Sequence, residues 1–171
     1  MLHRDAATFA RKTRKMVSVL SGEASARFTL AMGNMACFDA RICQLPSESL
    51  VRDYFHWRHE DAHRNALNAH CYWLLRKSGK SAQTATAELL GLSGSAKNEF
   101  LFQSGINFND LPTWQKRGSA LYWESYQKPA INPKTGEPVL ASRRRLRRDL
   151  DLPMGAQYGE FVAGFVAAAT Q

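Results

Sequence analysis

The fold is indicated most clearly by the sequence RDYFHWRHEDAHRNALNAHCYWLLRK, at residues 52–77. Its apolar residues recur at helical spacing, so it predicts one long helix with a buried face. Ser47 is the expected N-cap and Gly79 the expected stop, so the helix should run from about Glu48 to Lys77. The sequence does not decide whether this helix is interrupted at residues 58–61.

Polar side chains lie among those apolar residues and form a first polar cluster. A second polar cluster of the same kind follows from residue 96 to residue 118. A half-buried polar group costs free energy unless it finds a partner. Such groups arriving together indicate a surface that contacts a polar ligand such as a nucleotide or an RNA. The candidates in the two clusters are His63, Asn65, Asn68, Lys97, Asn98, Asn107 and Asn109.

The remaining segments predict a helix-rich α+β protein. A helix is expected from Thr8 to about Met35 and a strand over residues 36–45, where Phe38, Ala40 and Ile42 alternate with polar residues. Ser81 and Ser95 are the expected caps of two short helices that end near glycines. Residues 120–126 and 139–150 predict a β-hairpin around the turn NPKTG, and residues 158–169 predict a last helix.

Composition favours a basic intracellular protein. The chain has 171 residues, 44% of them hydrophobic, and a formal net charge of +8. This charge fits equally well a protein that binds a polyanion and a basic protein whose charge only keeps it soluble. Three cysteines without C-x-x-C spacing predict free thiols and a cytoplasmic location. No segment is long and apolar enough to predict a membrane helix.

Five motifs occur in order: R-D-Y-x-x-W-R, H-x-N-x-x-N, K-N-E-x-L-F, I-N-x-N and K-R-G. Together they resemble the C-terminal half of the tRNA-His guanylyltransferase family, and they look closest to bacterial relatives that repair or extend tRNA 5′ ends. The resemblance implies a remnant of a polymerase-like palm sheet at residues 1–46 and a fingers-like C-terminal domain at residues 47–171. It also implies tRNA and nucleoside triphosphates as partners, and a homotetramer if the palm is complete.

The resemblance gives the polar residues roles. It places Lys12 and Lys15 at the triphosphate of the incoming nucleotide, although a basic helical turn is often only a solvated face. It implies that the two polar clusters contact tRNA or nucleotide, together with Lys116 and Arg117. Five arginines on the second hairpin strand either form a solvated edge or bind RNA phosphates, and these are Arg143, Arg144, Arg145, Arg147 and Arg148.

The family's catalysis uses Mg²⁺ with GTP or ATP, held by carboxylates in D-G-x-x-F and S-D-E segments. Neither segment is present in this chain, and we expect these residues upstream of Met1. No catalytic residue and no metal ligand is therefore predicted here, and this chain alone is expected to be inactive. The alternative function is a non-catalytic RNA-binding module.

A third, weaker alternative comes from His59-Glu60-x-x-His63, which matches the H-E-x-x-H motif of zinc hydrolases. On a helix the two histidines would share a face, as zinc ligation requires. A third ligand is poorly placed in the sequence, and the resemblance assigns no role to His59. We therefore predict no zinc site.

Overall fold

The computed structural model describes residues 8–168, which divide into two compact units. One unit holds residues up to Asp53 and those from Val162 onward, and the other holds Tyr54–Phe161. The architecture is helix-rich, with a two-stranded antiparallel sheet, as the α+β prediction requires. No helix among the described residues is long and apolar enough to cross a membrane.

Helix α1 spans Thr13–Met32 and follows a 3₁₀ turn at Thr8–Arg11. The predicted helix from Thr8 thus starts later, because Phe9, Ala10 and Arg11 have positive φ angles that no right-handed helix accepts. The helix ends at Gly33, whose φ of 68° suits a left-handed C-cap. Most of its apolar stripe is exposed, including Leu20 and Leu30.

The strand predicted over residues 36–45 is wrong for the structure described here. The segment forms no ladder, because a strand needs a hydrogen-bonded neighbour and the described residues supply none beside it. Two side chains of α1 hold its start instead. The backbone N–H groups of Ala36 and Phe38 donate to Thr29 Oγ1 and Ser25 Oγ at 3.0 and 2.9 Å.

Helix α2 spans Glu48–Lys77, as predicted, and it is continuous through residues 58–61. Ser47 Oγ accepts a hydrogen bond from the Leu50 N–H at 3.3 Å, which confirms the N-cap. The second half of α2 provides one wall of the core of the Tyr54–Phe161 unit. Its buried core residues are Leu67, Cys71, Leu75, Ala85, Leu89, Leu101 and Phe108.

Two short helices supply the other walls of this core. Helix α3 spans Ala82–Leu89 with Ser81 as its N-cap, as predicted. Helix α4 spans Gly94–Gln103, and its N-cap is Ser93, so the prediction of Ser95 is wrong. Ser93 Oγ accepts from the Ala96 N–H, whereas Ser95 already lies in the first turn, where its side chain cannot cap that helix.

Two elements after α4 were not predicted. A 3₁₀ turn at Phe108–Asp110 buries Phe108 in the core, and helix α5 spans Thr113–Arg117. Both are too short to show an apolar period in the sequence. Helix α5 begins after Pro112 and ends at Gly118, whose φ is 83°.

Strands β1 (Ala120–Ile131) and β2 (Pro138–Asp149) form the predicted hairpin. Trp123 pairs with Leu146 and Glu124 pairs with Arg145, so residues alternate between two faces of the ribbon. The turn is closed by the Asn132 N–H donating to the Glu137 carbonyl at 2.9 Å. Helix α6 follows at Gly155–Ala168.

Candidate nucleic-acid interface

A group of basic side chains surrounds the middle of α2. His63 is half-buried and lies edge-on to Phe108, with ring centroids 5.4 Å apart. His59, one turn earlier, is buried and stacks on Tyr158 of α6 at 3.8 Å, with 12° between the ring planes. The charge of Arg117 acts on both imidazoles and that of Lys116 acts on His63, so α5 brings its cations near this part of α2.

The surroundings of both imidazoles favour the neutral form. Burial lowers the pKa of His59 and of His63, and the positive charge of Arg117 lowers both further. Lys116 also lowers the pKa of His63, whereas a backbone hydrogen bond to Pro153 partly opposes the shift at His59. A neutral imidazole offers one donor and one acceptor, so each ring can still bind a polar ligand.

The cations of α5 have no carboxylate partner among residues 8–168. Lys116 is 7% exposed, and its ammonium donates to the Asn109 carbonyl at 2.6 Å. Arg117 is half-buried, and its Nε has no hydrogen-bond partner. The same is true of His59 Nε2 and His63 Nδ1. Buried polar atoms are usually paired, so three unpaired nitrogens on neighbouring side chains single this place out, although the three atoms are themselves enclosed.

A second feature joins the two polar clusters. Asn68 of α2 and Lys97 of α4 line one cleft of about 270 Å³, together with Tyr72, Thr86 and Gly91. The cleft combines an amide, an ammonium, a hydroxyl and an aromatic edge. Tyr72 was not among the predicted residues, although it follows Asn68 by four residues and so shares its helix face.

The other four predicted amides take part in local hydrogen bonds. Asn65 Nδ2 donates to Asp61 at 3.1 Å, and Asn98 Nδ2 donates to the Gly94 carbonyl at 3.0 Å. Asn107 caps the 3₁₀ turn, and the backbone carbonyl of Asn109 accepts a hydrogen bond from the Lys116 ammonium. All four are exposed, so they remain predicted contact residues that also stabilise their own segments.

Lys12 and Lys15 lie at the start of α1, in the other unit. They line an open cleft of about 600 Å³ with Thr13, Arg14 and Ser18. No side chain caps this helix end, so the first-turn N–H groups point outward beside the lysines. A helix N-terminus with lysines beside it can bind phosphate.

The five hairpin arginines are not equivalent. Glu124 accepts hydrogen bonds from Arg145 at 2.7 Å and from Arg147 at 2.8 Å, and these contacts lower the pKa of Glu124. The guanidinium of Arg144 lies 5.4 Å from the centre of the Trp123 ring. Within the described part of the chain, neither Arg144 nor Arg148 pairs with a carboxylate. The predicted charge row therefore splits between two faces: Arg143, Arg145 and Arg147 share the face of Glu124, and Arg144 and Arg148 lie on the other.

The described residues do not form a metal centre. No three His, Cys, Asp or Glu side chains within residues 8–168 are grouped to hold a metal. His59 is packed against Tyr158, and Glu60 lies 3.7 Å from His56, so the H-E-x-x-H residues serve as packing and surface groups. This part of the chain fits neither zinc nor the two-metal centre that the resemblance implies.

Three comparisons with known proteins agree. A family model described as the Thg1 C-terminal domain matches residues 49–150. A probable tRNA(His) guanylyltransferase from Drosophila melanogaster is 33% identical over 131 residues, which are 71% of this chain and 46% of that protein. One from Dictyostelium discoideum is 38% identical over 111 residues, which are 64% of this chain and 42% of that protein.

The fold is similar to that of a solved relative. The crystal structure of tRNA(His) guanylyltransferase from Saccharomyces cerevisiae superposes with a TM-score of 0.57 and 27% sequence identity, over 67% of this chain and 56% of that chain. The chain spans about half the length of the curated relatives it matches. The similarity therefore concerns one part of those enzymes.

Proposed function

Because this chain belongs to the family of the Thg1 C-terminal domain, we propose that it is the tRNA-binding part of a nucleotidyltransferase that adds nucleotides to tRNA 5′ ends. Its curated relatives carry the name tRNA(His) guanylyltransferase and match most of this chain. The tRNA and the nucleoside triphosphate are thus the proposed partners of the whole enzyme.

The group formed by His63, Lys116 and Arg117 carries this proposal. It concentrates two permanent cations beside neutral imidazoles, with unpaired nitrogens and no carboxylate among the described residues to neutralise them. The guanidinium of Arg117 can donate to an RNA phosphate, which balances its charge. Arginine suits this role because its guanidinium binds phosphate through two parallel hydrogen bonds.

The cleft between Asn68 and Lys97 supports recognition of a nucleoside beside that phosphate. An amide both donates and accepts, so it can bind a base edge or a 2′-hydroxyl. The Lys97 ammonium can bind a neighbouring phosphate. Two of the predicted motifs meet here, which gives H-x-N-x-x-N and K-N-E-x-L-F one shared function.

Residues 8–45 are proposed to belong to a polymerase-like palm. Their apolar side chains are exposed, with Leu30 at 84% and Met35 at 88%, which is what a neighbouring sheet or subunit would cover. Lys12 and Lys15 are the proposed contacts for the triphosphate of the incoming nucleotide. Mg²⁺ is proposed for the whole enzyme only, and no catalytic step is assigned to the residues described here.

Binding of a tRNA transcript tests the proposal. Arg117→Gln should weaken binding by about tenfold or more, because a charged hydrogen bond to phosphate contributes on the order of 1.5–3 kcal/mol. Arg27→Gln is the matched control, since it removes the same charge from a residue that is exposed and already paired with Glu23. The affinities of the two variants for the tRNA transcript are compared by fluorescence anisotropy. Equal losses in the two variants, or no binding by the unmodified chain, would overturn the proposal.

A further inference from the structure

The hairpin carries an exposed apolar patch on one face only. Leu121, Trp123 and Leu146 are 66%, 59% and 56% exposed. Trp123 and Leu146 are directly opposite each other, and Leu121 is opposite Arg148. These side chains lie on the same side of the ribbon because residues two apart on a strand share a face. We call this surface the Trp123 face.

The Trp123 face also carries two arginines. Arg148 and Arg144 flank Leu146 at two-residue spacing, and neither pairs with a carboxylate among residues 8–168. The opposite face holds Glu124, which binds Arg145 and Arg147. It also holds Tyr122, which packs against Phe161 of α6. One face is therefore partly covered and carries a carboxylate that binds two of its arginines, whereas the Trp123 face is exposed and its arginines lack a carboxylate partner among the described residues.

We propose that the Trp123 face binds unpaired nucleotides of RNA, with a base stacked on the Trp123 indole and its flanking phosphates bound by Arg144 and Arg148. This inference rests on the proposed function, and it adds a second RNA contact to the group around Arg117. Aromatic rings and arginines on an open sheet face are the means by which proteins hold single-stranded RNA.

The geometry of Arg144 supports a stacking role for Trp123. Its guanidinium lies 5.4 Å from the indole centroid, within the range of a cation–π contact. This contact orders the arginine beside the ring before any ligand arrives. Trp123 as a whole residue stays 59% exposed, which leaves area for a base.

Charge favours RNA over a second copy of the chain. A two-fold contact through this face would bring Arg144 and Arg148 of one copy close to those of the other, and like charges repel at short range. A polyanion instead neutralises both arginines while the base covers the apolar centre. The size of the patch, three large side chains, suits one or two stacked nucleotides.

Binding of a labelled eight-nucleotide oligoribonucleotide without secondary structure tests the inference. Trp123→Ala should weaken binding about tenfold or more, whereas Trp123→Phe should keep most of it, because stacking needs an aromatic ring. The pair Arg144→Gln with Arg148→Gln should weaken binding more than Arg145→Gln with Arg147→Gln. Both double variants remove two charges, so a difference between their affinities shows which face of the hairpin binds the RNA. Circular dichroism of each variant should be unchanged, since these side chains are exposed.

A protein retaining only Trp123 among its four tryptophans provides a direct readout. Its fluorescence should fall saturably as the oligoribonucleotide is added. An unquenched Trp123, a Trp123→Ala variant that binds normally, or equal losses in the two arginine pairs would overturn the inference. A chain that sediments as a dimer and becomes monomeric on Trp123→Ala would also overturn it, by showing a protein interface. If the unmodified chain fails to bind intact tRNA, the proposed function itself fails.

Discussion

His59 and His63 are neutral imidazoles in a place that also holds two permanent cations. Burial and the charge of Arg117 lower the pKa of both, so each resists protonation in the folded state. In the unfolded chain both titrate at the ordinary value of about 6.5. Between that pH and the lowered folded-state pKa, the unfolded state binds more protons, and stability rises with pH.

The free energy of unfolding should therefore be constant above about pH 6.5 and fall as the pH drops toward 5. His59→Phe should reduce this loss, because it keeps a ring on Tyr158 and removes one titrating group. His59→Ala should cost about 1–3 kcal/mol at pH 7.5, since it removes the stacked ring from a buried position. Urea unfolding from pH 5 to pH 8 measures both. The same acid loss in wild type and His59→Phe would contradict the assignment.

The elements show what local sequence determines. Helix α2 was predicted to the residue and the hairpin in outline, because long periodic patterns, caps and turns decide them; strand β1 ends at Ile131 rather than at residue 126. The segment at residues 36–45 has the right alternation, yet no strand forms because pairing depends on a neighbour rather than on its own residues. Helix α5 was missed because five residues carry no period, although it positions Lys116 and Arg117.

The candidate site was predicted to a similar extent. Residue types at motif spacing named His63, Asn68, Lys97 and the α5 cations. The sequence does not show that Lys97 meets Asn68 or that Arg117 approaches His63, because those contacts depend on how α4 and α5 pack near α2. The split among the hairpin arginines also depends on register, since Glu124 selects two of the five.

The hairpin turn gives a prediction at this scale. Gly136 has a φ of 72°, a conformation that costs an L-residue roughly 1 kcal/mol. Gly136→Ala should therefore destabilise the protein by about that amount. Gly159→Ala is the control, because this glycine lies in α6 with nothing within 4 Å of a new Cβ, and alanine should stabilise a helix there by about 0.5–1 kcal/mol. Thermal unfolding of the two variants should shift in opposite directions. A shift of the same sign would show that the turn is not held as described.

At the scale of the whole molecule, positive charge is spread over several separate features. The start of α1, the group around Arg117 and the Trp123 face each add cations to a chain whose net charge is +8. Binding of RNA releases the counterions that neutralise its phosphates, and every protein cation that replaces them adds to the effect. The molecule as a whole is therefore expected to bind RNA more strongly than any single feature would.

This chain alone should add no nucleotide to tRNA. Its sequence has neither D-G-x-x-F nor S-D-E, and residues 8–168 group no three metal ligands. Incubation with a 5′-truncated tRNA, labelled GTP, ATP and magnesium should give no incorporation above a no-protein control. A full-length family enzyme serves as the positive control. Incorporation that depends on this chain would show that its active site has been misplaced.

The salt dependence of tRNA binding tests whether this chain binds tRNA through its phosphates, because the logarithm of such an affinity falls linearly with the logarithm of the salt concentration. The fluorescence anisotropy of a labelled tRNA transcript should be measured with the unmodified chain at potassium chloride concentrations from about 50 to about 300 mM, a range over which the affinity of phosphate contacts falls steeply. We expect tight binding at low salt and a slope of log affinity against log salt between about −2 and −4, the value for roughly three to five phosphates. A flat slope, or no binding at the lowest salt, would contradict the account.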